Sequence, residues 1–250
     1  MKITAVSFNI RYGDDPNGHA ISERAPRLDA LVTPLNADVI GFQEYTVPWE
    51  KQIEKYFGEK YEIFNKYRSV SNLEATPILW KKDKFHCLKK GYFWLSDTPE
   101  VESKGWDTLN CCRICNYAVL KEKQSGKIFT FMNTHFGFGE KGQVDSARLV
   151  YEYAKKISNY PTFITGDFNM TPQAAAYKEM TNNFIDVNAV TLKDFGDTYH
   201  GYNPKIERNQ HIDYCFADEN VKPLNLTVID GDIDGKFPSD HFGLFVELEI

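Results

Sequence analysis

Short strand-like runs alternate with helical stretches along this chain of 250 residues, which predicts an α/β fold of layered sheets covered by helices. Residues 242–250 are apolar at every second position, as in a half-buried strand. Residues 144–157 place Leu149, Tyr153 and Ile157 on one stripe of a helix. No internal repeat, low-complexity stretch or linker interrupts the pattern, so we expect one domain over residues 1–250.

The first third is predicted to hold two strands and two helices. Residues 3–8 read as the first strand. Ser22 can cap a helix that runs to about Asn36, since a serine side chain accepts a hydrogen bond from the first turn. Pro26 lies early enough in that helix to be tolerated. A short buried strand over residues 38–42 and a helix over residues 48–57 follow.

The rest of the chain is richer in strands. Strand-like runs cover residues 77–80, 85–94, 114–120 and 128–133, and the helix over residues 144–157 comes after them. A strand over residues 162–165 then precedes a helix over residues 172–181, which has proline at its start. The remaining predicted strands span residues 212–216, 224–229 and 242–250.

Composition narrows the possible functions. The net charge of −6 argues against a sequence-independent DNA binder, which normally carries a basic face. Nucleic acid is not excluded, because the carboxylates of a metal site add negative charge that the cation offsets. No apolar run approaches the ~20 residues that span a bilayer, and the first residues are too few and too polar for a signal peptide. We therefore expect a cytoplasmic protein with no membrane association and no obligate protein partner.

Cysteine usage and motifs exclude other classes. The five cysteines are an odd number without a disulfide framework, which fits reduced thiols in a reducing compartment. Cys112 and Cys115 have the spacing of a zinc half-site but lack a second pair, so a structural role is expected. The chain has no serine nucleophile elbow and no glycine-rich phosphate loop, which argues against serine hydrolases and nucleotide kinases.

Polar side chains stand at six predicted strand ends, where ligands commonly bind in sheet proteins. The segments are Asn9, Gln43-Glu44, Asn133-Thr134-His135, Gly166-Asp167-Phe168-Asn169, His211-Ile212-Asp213 and Ser239-Asp240-His241.

These residue types suit metal-assisted hydrolysis of a phosphate ester. Glu44 and Asn9, with Asp240 as a further carboxylate, offer the oxygen ligands that Mg²⁺ prefers. Asp167 could act as general base on a water molecule that Asn169 holds. His241 and His135 could donate to the charged transition state, and a buried Asp213 would keep His241 protonated and aimed.

In both order and residue type, the six segments resemble the endonuclease/exonuclease/phosphatase superfamily from Asn9 to His241. Residues 93–96, 103–107 and 113–115 further resemble a bacterial branch related to deadenylase-type exonucleases. The resemblance implies a four-layer sandwich, in which two mixed β-sheets pack face to face and are flanked by helices.

The resemblance also implies roles for individual residues. Glu44 would be the principal metal ligand, with Asn9 in support and Asp240 beside the metal; Mg²⁺ is expected, and Mn²⁺ is possible. Asp167 and Asn169 would activate and position water, Asp213 would pair with His241 at the scissile phosphate, and His135 would donate to phosphate or leaving group. Glu74 would lie on the substrate side and Arg113 would neutralise phosphate. Gly137 and Phe138 depart from the branch, as does the lack of a glycine before Glu74.

Further substrate contacts are proposed at His200 and Trp106. A hydrogen-bonded structural role is the alternative for His200. Trp106, with Trp94, belongs either to the core or to a platform on which a base stacks. The leading prediction is a phosphodiesterase acting on single-stranded nucleic acid or nucleotide ends. The alternatives are a phosphomonoesterase of a small metabolite, sugar or lipid headgroup, and a phosphoester-binding domain that has lost catalysis.

Overall fold

The structure is a computed structural model, and it describes residues 1–193 and 196–250. Within those residues it contains strands β1 (Lys2–Asn9), β2 (Val39–Gln43), β3 (Tyr45–Thr46), β4 (Tyr61–Phe64), β5 (Glu74–Ala75), β6 (Ile78–Lys81), β7 (Phe85–Trp94), β8 (Ile114–Glu122), β9 (Ile128–His135), β10 (Thr162–Asp167), β11 (Ile185–Asp186), β12 (Asp213–Ala217), β13 (Lys222–Ile229) and β14 (Gly243–Glu249). The helices are α1 (Ile21–Val32), α2 (Val47–Phe57), α3 (Glu140–Ile157), α4 (Ala175–Thr181) and α5 (Val187–Thr191), and a 3₁₀ turn at Thr33–Leu35 extends α1.

Most of the strands form two sheets of six strands each. The first sheet has the order β13-β14-β1-β2-β6-β4, and the second has the order β11-β12-β10-β9-β8-β7. Each sheet is mixed, because β1 and β2 run parallel in the first and β9 and β10 run parallel in the second, whereas their other neighbours are antiparallel. The short strands β3 and β5 pair beside them.

The inner faces of the two sheets pack against each other. One buried cluster joins Ile3, Val39 and Trp80 of the first sheet to Phe129 and Phe163 of the second. Alternating strand residues supply these side chains, because successive residues of a strand point to opposite faces. Burial of these apolar side chains holds the sheets together.

Helices cover the outer face of each sheet. α1 and α2 pack Leu28 and Trp49 against Phe42 of the first sheet. α3 and α4 pack Val150 and Met180 against the outer face of the second sheet. Helix, sheet, sheet and helix therefore form the four-layer sandwich that the resemblance implied, and that prediction is confirmed.

The central strands lie where the sequence predicts them, but some helix ends differ. α1 begins at Ile21, so Ser22 is not its cap. Instead, Glu23 accepts a hydrogen bond from the amide of Ala20 at 3.1 Å, and Asp14 accepts one from the amide of Ile21 at 2.6 Å. Pro26 lies inside the helix, where it removes one backbone hydrogen bond.

Two other helices start away from their predicted residues. α3 begins at residue 140, four residues early, because its polar first turn lies outside the apolar stripe that marks the rest of the helix. α4 begins at Ala175, after a turn that closes with a hydrogen bond from Ala174 to Thr171. β3, β4, β5, β11 and α5 were not predicted; each is at most five residues long and too short for a periodic pattern.

Candidate active site

Strand register brings three of the predicted residues side by side. Asp167, the last residue of β10, pairs with Asp213 of β12 on one side and with His135 of β9 on the other. Directly opposed residues on neighbouring strands point to the same face of a sheet. The end of the second sheet therefore presents an Asp, an Asp and a His in a row.

The first sheet contributes residues to the same place. Asn9 pairs with Gln43 at the ends of β1 and β2, and Glu44 follows. The carboxamide of Asn9 donates to Glu44 Oε1 at 3.1 Å and to Asp167 Oδ2 at 2.9 Å. Asn9 thus links a carboxylate of one sheet to a carboxylate of the other.

A cavity of about 700 Å³ opens over this junction, and we call it the active-site cavity. Glu44, Asp167, Asn169, His135 and His241 all line it. Asn9 and Asp213 are nearly fully buried behind the lining residues. They are therefore placed to orient their neighbours, while the lining side chains face a ligand.

Three lining residues adopt the left-handed backbone conformation. Arg11 has φ 61°, Glu44 has φ 59° and Asn169 has φ 49°. Asparagine tolerates this region, but an arginine or glutamate there is uncommon and carries strain. The backbone is therefore bent at three points that aim polar side chains into the cavity.

Asp213 and His241 form a buried ion pair. Asp213 Oδ2 lies 2.9 Å from Nδ1 of His241. Burial acts to lower the pKa of His241, but the charge and hydrogen bond of Asp213, together with Asp167 and Asp240, outweigh it and raise the pKa to about 10. His241 is therefore an imidazolium at neutral pH, with Nε2 3.8 Å from Asp167 Oδ2.

Asp167 has the environment of a general base. Its Oδ1 accepts a hydrogen bond from the amide of Asn169 at 2.9 Å, which fixes the carboxylate plane together with Asn9. Burial, followed by the charge of Asp213, raises the pKa of Asp167 above its ordinary value, and His241 opposes that rise. A carboxylate with a raised pKa accepts a proton from water more readily than an exposed one.

His135 is neutral, with a defined tautomer. The side-chain nitrogen Nδ2 of Asn169 donates one hydrogen to the carbonyl of Phe136 at 2.9 Å. Its second hydrogen therefore points to Nε2 of His135, 3.0 Å away. Nε2 therefore accepts, and the proton resides on Nδ1. Burial, then the charges of Arg113 and Arg68, hold the pKa of His135 well below its ordinary value. Its only donor is Nδ1, which lies 3.7 Å from Glu74 Oε1.

Oxygen donors for a divalent cation gather on the other side of the cavity. The amide of Tyr12 donates to Glu44 Oε2 at 2.8 Å, and Asp240 lines the same cavity. Arg11 Nε lies 3.8 Å from Asp240 Oδ2. Carboxylates with few other ligands match Mg²⁺ or Mn²⁺, which keep several waters. Glu44 and Asp240 thus fit a metal, with Asn9 holding Glu44 from behind.

A second group could also hold a cation. Ligand atoms of Asp167, Asp213 and His241 lie within 4.8 Å of one another. In this group, Nδ1 of His241 is already engaged by Asp213 Oδ2 at 2.9 Å, and Oδ2 of Asp167 already accepts from Asn9 at 2.9 Å. This hydrogen bonding favours acid–base chemistry for these three residues.

The cavity is also lined by Arg68, Glu74 and Arg113, which we call the polar wall. Arg68 Nη1 contacts Glu74 Oε1 at 2.7 Å, and Arg113 Nε contacts Asp107 Oδ2 at 2.6 Å. The predicted residues Glu74 and Arg113 therefore lie beside His135, on the substrate side. Arg68 was missed, because a lone arginine in a polar loop is usually a solvated side chain.

Two predicted substrate contacts lie outside the active-site cavity. His200 is buried against Phe242, with ring centroids 4.2 Å apart, and lines a different hollow. Trp106 lies beside α3, where its carbonyl closely approaches Gly142. Trp94 is buried and donates through Nε1 to the carbonyl of Arg68 at 2.7 Å. Neither tryptophan lines the active-site cavity.

Other lining residues were not predicted. Arg11 forms a bidentate contact with Asp15, at 2.9 and 3.1 Å, and its guanidinium lies over the ring of Tyr12. Tyr12 and Phe138 are half exposed at the rim, and Tyr199 also lines the cavity. The position of Arg11, two residues after Asn9, was the one local signal that could have indicated it.

The structural residues of the motifs also find partners. His211 lies 2.9 Å from Asn188 Nδ2 and 2.8 Å from the carbonyl of Gly196. All five cysteines are unpaired. Cys115 is fully buried in the core, which is consistent with the structural role expected for it. Within residues 1–193 and 196–250, no helix has the length and apolar character needed to cross a membrane.

The sequence and the fold match known proteins across the chain. Residues 6–241 match the model of the Endonuclease/Exonuclease/phosphatase family. A crystal structure of a family member from Bacteroides thetaiotaomicron is 28% identical, has a TM-score of 0.92, and aligns over 99% of this chain and 97% of that one. A mannosyl-6-phosphatase from the same species is 29% identical, has a TM-score of 0.90, and aligns over 99% of this chain and 100% of that one.

A plant protein matches part of the chain. Carbon catabolite repressor protein 4 homolog 3 of Arabidopsis thaliana is 26% identical over 169 residues, which are 61% of this chain and 34% of that protein. With the catalytic set assembled in one cavity, these findings make the chain a hydrolase of phosphate esters, and it belongs to the endonuclease/exonuclease/phosphatase family.

Proposed function

We propose that this protein is a divalent-metal-dependent phosphomonoesterase that acts on a small phosphorylated molecule. The observation that carries the proposal is the active-site cavity. Its volume of about 700 Å³ is that of a site for a single small ligand, and both the proposed catalytic side chains and the polar wall line it.

In the proposed reaction, Asp167 removes a proton from the water that attacks phosphorus. The bond between phosphorus and the ester oxygen breaks, and the leaving oxygen takes up a proton, so that the products are an alcohol and inorganic phosphate. Asn9 and the amide of Asn169 hold its two carboxylate oxygens, so the carboxylate keeps one orientation during proton transfer. The imidazolium of His241 stabilises the negative charge that develops on phosphate oxygens, and Asp213 keeps that ring charged and aimed.

Glu44 and Asp240 would hold Mg²⁺ or Mn²⁺. A bound cation at that position would polarise the phosphoryl group and neutralise its charge. Arg11, close to Asp240, adds a fixed positive charge on the same side of the cavity.

The similarity to a mannosyl-6-phosphatase supports a monoester substrate, since that structure aligns with 99% of this chain. The predicted stacking of a nucleic-acid base on Trp94 or Trp106 has no support from the cavity, because neither tryptophan lines it. The net charge of −6 also opposes an extended polyanion. The unpaired thiols fit the predicted cytoplasmic location.

A substrate panel tests the proposal. The purified protein is assayed with Mg²⁺ and with Mn²⁺ on p-nitrophenyl phosphate, bis-p-nitrophenyl phosphate, hexose phosphates, single-stranded RNA and single-stranded DNA. We expect the highest kcat/KM on a monoester. Efficient cleavage of the diester or of either single strand, with little monoester turnover, would contradict the proposal and restore the nuclease prediction.

A further inference from the structure

The polar wall has a donor and acceptor pattern that the phosphate chemistry does not use. Arg68 and Arg113 are each less than a tenth exposed, and each is fixed by a carboxylate, Glu74 or Asp107. A guanidinium held in this way loses little freedom when it binds a ligand. The side chains of the polar wall are therefore already oriented before a ligand binds.

Three buried donors in and beside the polar wall have no hydrogen-bond partner among the described residues. They are Nε of Arg68, Nη1 of Arg113 and Nδ1 of His135. Buried polar groups are nearly always paired in native proteins, because an unpaired one loses its bonds to water. All three residues line the active-site cavity, so a ligand in that cavity is the nearest source of acceptors.

The wall also contains an acceptor. Glu74 gives one oxygen, Oε1, to Arg68, and a carboxylate has further acceptor capacity on both oxygens. Burial raises the pKa of Glu74, and Glu44 and Asp107 add to that rise, while Arg68 and Arg113 oppose it. The carboxylate of Glu74 would repel a second phosphate group on the substrate. A hydroxyl group, in contrast, can accept a hydrogen bond from an arginine and donate one to Glu74.

The polar wall adjoins the reaction centre. The ring of His135 stands between them, with Nδ1 3.7 Å from Glu74 Oε1 and Nε2 3.5 Å from Asp167 Oδ2. A substrate whose phosphate faces Asp167 would therefore extend its alcohol portion toward Glu74 and Arg68.

We propose that Arg68, Glu74 and Arg113 form a subsite for the hydroxyl groups of the leaving alcohol, so that the substrate class is a phosphorylated sugar or polyol. This inference rests on the proposed phosphomonoesterase function and adds the identity of the leaving group to it. In this proposal, Arg68 helps to determine which substrates are accepted. Arg113 binds hydroxyl groups of the alcohol, whereas the family resemblance implied that it neutralises the phosphate.

The first test changes the substrate and leaves the protein intact. Wild-type enzyme is assayed on mannose 6-phosphate, on glucose 6-phosphate, on their singly deoxygenated analogues, and on p-nitrophenyl phosphate, which has no hydroxyl on its leaving group. Removal of a recognised hydroxyl should lower kcat/KM by ~10-fold or more, because the buried polar groups that it satisfied are left unpaired.

The second test changes the wall. Arg68→Lys and Glu74→Gln should reduce kcat/KM more on the hexose phosphate than on p-nitrophenyl phosphate, mainly through KM. Arg148→Lys is the matched control, since this exposed arginine contacts Glu179 and Asp145 away from the cavity. Circular dichroism and thermal melting establish that each variant is folded.

The outcomes separate the two proposals. Wild-type turnover of p-nitrophenyl phosphate with no sensitivity to any hydroxyl overturns the subsite and leaves the phosphomonoesterase standing. Equal losses on both substrates in the wall variants, or a preference for a hexose bisphosphate over the monophosphate, also overturn the subsite. Inactivity on every monoester overturns both proposals.

Discussion

Asp167 is the residue on which the proposed chemistry depends most. It receives hydrogen bonds from Asn9 of the first sheet and from the amide of Asn169, and it faces the imidazolium of His241. Its orientation is thus set by its near neighbour Asn169 and by Asn9, which is distant in sequence. The local signal for it, a Gly-Asp-Phe-Asn turn after an apolar strand, was sufficient to predict its position at the end of β10.

Replacement of the base should remove most of the activity. Asp167→Asn should lower kcat by at least ~10²-fold, since general base catalysis contributes about that factor. The isosteric amide keeps the shape of the site, so the melting temperature should change little. Steady-state kinetics on p-nitrophenyl phosphate measure the loss, and a folded variant with near-normal turnover would exclude Asp167 as the base.

Asp213 and His241 should behave as one unit. Asp213→Asn removes the charge that keeps His241 protonated, so its loss of kcat should approach that of His241→Ala. In the double variant, the two losses should combine far less than additively, because each single change already disables the pair. A double-mutant cycle on kcat/KM measures the coupling, and strict additivity would show that the two residues act independently.

His200 should make stability depend on pH. Burial lowers its pKa from 6.5 to about 4, although a hydrogen bond to the backbone of His241 acts to raise it. Between these pH values the unfolded chain binds more protons than the folded one. The stabilisation is therefore present above pH 6.5 and is lost as pH falls toward 4.

A variant isolates that effect. On acidification from pH 6.5 to 4, the free energy of unfolding should fall in the wild type and in His200→Phe, whose new ring lies next to Phe242. The fall should be smaller in the variant, by about 3 kcal/mol, because the variant lacks the imidazole that titrates. Urea unfolding at a series of pH values measures the difference. The exposed His86, changed to Gln, is the control, and parallel pH curves for wild type and His200→Phe would contradict the assignment.

At the scale of elements, strand ends were predicted better than helix ends. An alternating apolar run indicates both the buried face of a strand and its ends, so β14 begins and ends within one residue of the prediction. α1 begins where Asp14, seven residues away, accepts a hydrogen bond from its first amide. Contacts of that kind follow from the folded loop, and no local pattern contains them.

Asn133 connects the two sheets at the active-site end. Its Oδ1 accepts from Gln43 Nε2 at 2.7 Å, and its Nδ2 donates to the carbonyls of Phe42 and Pro77 at 2.7 and 3.0 Å. The role of this buried polar residue is therefore to join β9 to β2. Gly41 leaves the space, since a Cβ there would lie 2.6 Å from Asn133.

Loss of this connection should destabilise the fold. Asn133→Ala removes three buried hydrogen bonds, one from Gln43 and one each to the carbonyls of Phe42 and Pro77. Since each such bond contributes about 0.5–1.5 kcal/mol, the free energy of unfolding should fall by ~3 kcal/mol. Asn225→Ala, an exposed asparagine beside Glu247, is the control and should change it little. Chemical denaturation measures both, and equal small effects would show that Asn133 does not join the sheets.

For the whole molecule, the order of the motifs along the chain predicted the layers of the fold and the residues at the strand ends. It did not predict the residues that loops contribute to the cavity. Six short motifs at strand ends indicated Asp167, His241 and their neighbours, because sheets bring strand ends together. Arg68 and Arg11 lie in loops whose path depends on the assembled sandwich. The sequence left Trp94 and Trp106 either in the core or on a stacking platform, and the structure buries Trp94.

The most direct test of the account is metal dependence of p-nitrophenyl phosphate hydrolysis. Enzyme treated with excess chelator and dialysed into metal-free buffer should lose its activity, and Mg²⁺ or Mn²⁺ should restore it, because in the proposed reaction Glu44 and Asp240, which line the same cavity as Asp167, would hold the cation. Glu44→Gln should need a higher metal concentration for the same rate. Full activity in excess chelator would contradict metal-assisted hydrolysis at this site.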